Sequence, residues 1–144
     1  MINNDTIQLL KECDLGSKMA VSSIDEIMDE IRDSSLKQIL SKSKEHHKAL
    51  GNELHSMLLQ YGSGEKDPTP IAKGMSWIKA NMKMGMDHSD ATAADLITDG
   101  CNMGIKTLHK HLNQYDAANE PSRNICKRLI AIEDTLYRDM QAYL

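Results

Sequence analysis

His47 and Glu133 are the residues of this chain best placed to hold a metal ion, because each interrupts an otherwise apolar heptad seam where a helical bundle can house one. A two-metal carboxylate centre in such a bundle takes one Glu from each of two helices and a Glu-x-x-His pair from each of the other two, so that side chains at i and i+3 converge on the same ions. Both pairs are broken: Lys44 stands three residues before His47, Ser43 three before His46, and Leu136 three after Glu133. None of the six histidines has Asp, Glu, Cys or His three or four residues away, so no single helix can chelate an ion through them. His109 and His111 point about 200° apart around a helix and cannot act together. His47 and Glu133 therefore stay as metal candidates, with iron the ion concerned. The expected arrangement is instead a buried imidazole hydrogen-bonded to Ser17, Ser43 or Glu133, and a seam carboxylate paired with it or with a basic residue.

Other chemistry is thinner. Met82, Met84, Met86 and His88 cluster soft donors suited to Cu(I), yet Met82 also belongs to an apolar stripe and Met is a common gap filler. Cys13, Cys101 and Cys126 lie inside helical patterns without a C-x-x-C spacing, so buried free thiols are expected rather than a disulfide framework or a zinc site. Asp25 and Asp29, Glu26 and Glu30, and Asp95 and Asp99 place like charges four apart, which reads as solvated helix faces. There is no phosphate-cradling glycine loop, no Gly-x-Ser-x-Gly and no calcium-binding loop.

The elements that must position these residues are helices. Among 144 residues there are 10 Met and no Phe, so Leu, Ile, Met and Ala fill the core, and the length suits one domain over residues 1–144. Leu10, Cys13, Ser17, Ala20, Ile24, Ile27 and Ile31 alternate in steps of three and four, predicting a helix over about 5–32 that starts with an Asp5–Gln8 capping box. Leu36, Leu40, Ser43, His47, Leu50, Leu54, Met57 and Tyr61 predict a second over about 35–61, capped by Ser34 or Ser35 and folded back as an antiparallel hairpin. After a Gly- and Pro-containing linker from Gly62, Ile71, Met75, Ile78 and Met82 predict a shorter helix over about 70–86. Ala94, Ile97, Cys101, Gly104 and Leu108 mark a third long helix over about 91–116. Asn119 and Pro121 open a fourth, with Cys126, Leu129, Glu133, Leu136 and Met140 on its seam. The 29 residues from Gly62 to Asp90 are long enough to return the full length of the bundle, which would set the third long helix parallel to the second.

The hairpin segment Lys44-Glu45-His46-His47-Lys48-Ala49-Leu50-Gly51-Asn52-Glu53-Leu54, the connection with Gly74-Met75-Ser76-Trp77, and Asp95-Leu96-Ile97-Thr98-Asp99-Gly100 together resemble the ferritin-like superfamily, in particular its small bacterial members of unassigned function. The resemblance covers nearly the whole chain. It implies an all-α four-helix bundle of two hairpins with a long crossover carrying the extra short helix, here without the di-iron ligand motifs.

The net charge of −4, from 17 basic and 21 acidic residues, carries no concentrated basic face, so nucleic acid is not an expected partner. No run approaches the roughly 20 apolar residues that span a bilayer and the start is unlike a signal peptide, so a cytoplasmic protein with no membrane partner is expected. The leading expectation is a non-catalytic bundle acting by protein association, as a homodimer or other homo-oligomer. The alternative is a metal-binding bundle, either a degenerate di-iron oxidase or a Cu(I) carrier. A third expectation, a small-molecule-binding bundle, would show as an apolar cavity near Gly16, Ser17, Gly100 and Gly104.

Overall fold

The computed structural model describes residues 2–63 and 88–144. These form four long helices, α1 (Asn4–Met28), α2 (Ser34–Gln60), α3 (Asp90–Gln114) and α4 (Glu120–Met140), and a closing 3₁₀ turn over Gln141–Tyr143, with no strand among the described residues. The expected helix over 70–86, most of its linker and Met82, Met84 and Met86 lie outside the described residues.

Helix ends follow local side-chain chemistry. The first N-cap is Asn3, not Asp5: its side-chain oxygen accepts from the Thr6 N–H at 2.9 Å, while Asp5 sits in the first turn and its carboxylate accepts from the Ala117 N–H. Asp33, rather than Ser34 or Ser35, caps α2, because its extended backbone lets its carboxylate accept from the Leu36 N–H at 2.9 Å. α1 stops at Met28, so residues 29–33 form the turn and Ile31 reaches the core from outside the helix. Ser89 caps α3, and Asn119 caps α4 with Pro121 in its first turn, where a missing N–H costs nothing.

Polar ties between helix ends fix the topology. The Asp90 carboxylate, at the start of α3, accepts from the N–H groups of Arg32 and Asp33 at 2.8 Å each, so α3 begins beside the α1–α2 turn. At the opposite end, Asn119 N–H donates to the Thr6 hydroxyl and the Asn3 amide to the Ala117 carbonyl, joining the α3–α4 turn to the start of α1. α2 and α3 are consequently parallel, and Gln60 and Asp90 lie at opposite ends of the bundle.

α1 packs against α2, α2 against α4 and α4 against α3, whereas the side between α1 and α3 is the most loosely closed. The core is split in two. One apolar cluster, around Ile24, Ile27, Leu40, Ile97 and Met140, lies toward the α1–α2 turn, and another, around Leu9, Leu54, Leu112, Ile125 and Leu129, toward the α3–α4 turn. Between them Ser17, Ser43, His47 and Glu133 form a buried polar layer. No helix of the described residues is long and apolar enough to cross a membrane.

Candidate functional site

The middle layer owes its polarity to two side chains that the seam spacing points inward from α2 and α4. His47 is fully buried, and its Nε2 lies 2.9 Å from Glu133 Oε1. Its Nδ1 lies 2.8 Å from the Ser43 carbonyl and 3.4 Å from the Ser43 hydroxyl, both one turn back. Of the partners expected for His47, Ser43 and Glu133 are met, while the Ser17 hydroxyl donates to the Asp14 carbonyl instead. Among the described residues no three His, Cys, Asp or Glu side chains converge in a way that could hold a metal ion, so His47 and Glu133 stand as a two-donor pair.

Cys101, on α3, is buried near the same carboxylate. Burial pushes its thiol well above its ordinary range, and the neighbouring Glu133 pushes it further, so it is held protonated. Cys13 and Cys126 are also free and buried; the Cys126 thiol, which donates to the Leu108 carbonyl, and then burial raise the Cys13 thiol, while Cys126 is lowered. Raised thiols such as Cys13 and Cys101 are poor nucleophiles.

Beside the polar layer, the loose α1–α3 side opens into a cavity of about 260 Å³. Leu15, Gly16, Ala20 and Ile24 form its α1 wall, Ile97, Gly100 and Gly104 its α3 wall, and Leu129, Glu133 and Leu136 of α4 its floor. Small residues make it possible: a Cβ at Gly100 would meet nothing within 4 Å, and one at Gly104 would stand 3.7 Å from the Glu133 carboxylate carbon. Met19 and Met103, each about half exposed, form the lips. Toward one end, His111 Nε2 lies 3.5 Å from Glu12 Oε2 and its ring stacks on Tyr115. The expected cavity near Gly16, Gly100 and Gly104 is therefore present, while Ser17 does not line it because that side chain faces Gly51 on α2.

His47 meets Glu133, His111 meets Glu12, and His88 meets Glu30 at 3.2 Å. The last two tie α3 to α1, and the residues leading into α3 to the α1–α2 turn, over more than 50 positions of sequence, which local spacing cannot reveal. Asp14 was also not foreseen in the core; it is fully buried and paired with Lys18 one turn later at 2.9 Å, a spacing that does leave a mark in the sequence. The acidic faces behave as solvated surfaces, with the half-exposed Asp25 paired to Lys44.

No family model matches the chain, and no curated protein matches its sequence. Among solved structures, it is similar to the crystal structure of a conserved hypothetical protein, rv2844, from Mycobacterium tuberculosis, with a TM-score of 0.77 over 100% of both chains at 12% identity. At that identity the likeness concerns the fold alone.

Proposed function

We propose that this protein is a non-catalytic helical bundle of ferritin-like type that binds a small apolar molecule in the cavity between α1 and α3. The cavity carries the reading: its walls are apolar, its polar groups are few and fixed, and its 260 Å³ exceed the roughly 150 Å³ that hold a benzene in a buried engineered site. The ferritin-like assignment is supported by the parallel α2 and α3. A binding role rather than an enzymatic one is supported by the state of the nearby groups, since Cys101 is held as a thiol and His47 is sealed behind Glu133.

The test is an amide NMR titration with an apolar bicyclic probe, benzothiophene. Saturable shifts confined to residues 15–24, 97–108 and 129–136, and abolished by Gly104→Leu, are expected. Unsaturable or scattered shifts would contradict the reading.

A second reading, homo-oligomeric association, is favoured by the exposed Met19 and Met103 on the two lips, because thioether side chains adapt readily to a partner surface. Sedimentation of the wild type against Met19→Glu/Met103→Glu tests it. A dimer that the charges dissociate supports association, and a monomer in both cases removes it.

A further inference from the structure

From the geometry of the Glu133 carboxylate we propose that the ligand of the α1–α3 cavity is an aromatic molecule of about bicyclic size carrying one N–H or O–H group, from which Glu133 accepts a hydrogen bond. The inference rests on the cavity being the ligand site and adds what that site selects.

Glu133 is the polar group at the floor. Its side chain keeps about a tenth of its surface exposed, while His47 behind it has none, so the residual exposure of the pair belongs to Glu133, which lines the cavity. Gly104 leaves it uncovered: both carboxylate oxygens lie 3.8–3.9 Å from where a Cβ at that position would stand. A carboxylate offers about four lone-pair sites. His47 engages Oε1, which leaves acceptor sites for a donor from the cavity.

An indole-like N–H or a phenol-like O–H supplies the hydrogen bond that the Glu133 carboxylate can accept. The walls set the rest of the ligand, since Leu15, Ile24, Ile97, Leu129 and Leu136 offer an aromatic ring only apolar contact. A volume well beyond a benzene-sized cavity fits two fused rings.

Calorimetric titration of the full-length protein with indole and with benzothiophene, which has nearly the same shape and no donor, tests the proposal. Indole is expected to bind about tenfold tighter, the worth of one hydrogen bond to a charged acceptor. Gly104→Leu is expected to abolish both. In His47→Leu/Glu133→Leu, which removes both polar partners and leaves neither orphaned, benzothiophene binding is expected to persist while the preference for indole disappears. Should that variant not fold, the wild-type comparison still decides. Equal binding of the two probes overturns the donor requirement and leaves the cavity reading intact; failure of both to bind overturns the cavity reading and this inference together. A preference that survives in a folded double variant assigns the donor to another acceptor and overturns the role of Glu133.

Discussion

A buried His and a buried Glu in hydrogen-bond contact hold each other in place, because either alone would be a desolvated polar group without a partner. His47→Leu or Glu133→Leu is expected to destabilise the fold by about 3–5 kcal/mol, and the double replacement by much less than the sum. Urea denaturation of the four proteins of this cycle measures the coupling, and additive losses would show that the contact contributes nothing. Cys101 gives a pH dependence of fixed sign. Its folded thiol is raised above the ordinary value of 9.0, so below about pH 9 both folded and unfolded chains keep it protonated and its contribution is complete. Above that, the unfolded chain ionises first, and stability falls as pH rises toward the folded value. Cys101→Ala is expected to flatten this alkaline loss, as denaturation midpoints from pH 8 upward would show. At this scale the heptad spacing marked His47 and Glu133 as inward-facing and the three cysteines as buried. What spacing could not supply was the match of layers between α2 and α4, because a one-turn slip moves a contact by about 5.4 Å.

Helix pairing depends on a few close approaches. Gly51 brings α2 against α1, where a Cβ would stand 3.2 Å from the Ser17 hydroxyl, which is itself held by the Asp14 carbonyl. Replacing Gly by Ala inside a helix contributes up to about 1 kcal/mol by propensity alone, and this contact opposes the gain. Gly51→Ala is therefore expected to stabilise the Ser17→Ala protein by about 1 kcal/mol and the wild type by clearly less, as thermal melts of the four combinations will test. Equal gains would mean that Ser17 yields freely. Asp90 ties α3 to the α1–α2 turn through two backbone N–H groups, and Asp90→Ala is expected to cost on the order of 1–2 kcal/mol in urea denaturation. Periodicity made the four helices legible and placed the cap of α4 at Asn119. It misjudged the first two caps by one or two residues, since Asn3, Asp5, Asp33 and Ser34 are all competent caps and the turn geometry chooses among them.

The whole molecule combines three well-packed sides with one loose one, and an apolar core with one polar layer. With His47 and Glu133 offering two donors in that layer, and no triad of donors among the described residues, the layer is expected to hold no iron in stoichiometric amount. Elemental analysis of protein purified without an affinity tag checks this, and one equivalent of iron lost in Glu133→Leu would restore the metal-binding alternative. The cavity was legible as a condition on small residues near Gly16, Ser17, Gly100 and Gly104; the three glycines line it and Ser17 does not. Its floor was not legible, because Glu133 reaches the cavity from a third helix whose rotation the sequence leaves free. Ligand binding between α1 and α3 stands or falls on the amide titration with benzothiophene. Saturable shifts are expected to map onto the walls and floor of the cavity and to vanish in Gly104→Leu; shifts that map elsewhere, or that persist unchanged in that variant, would overturn it.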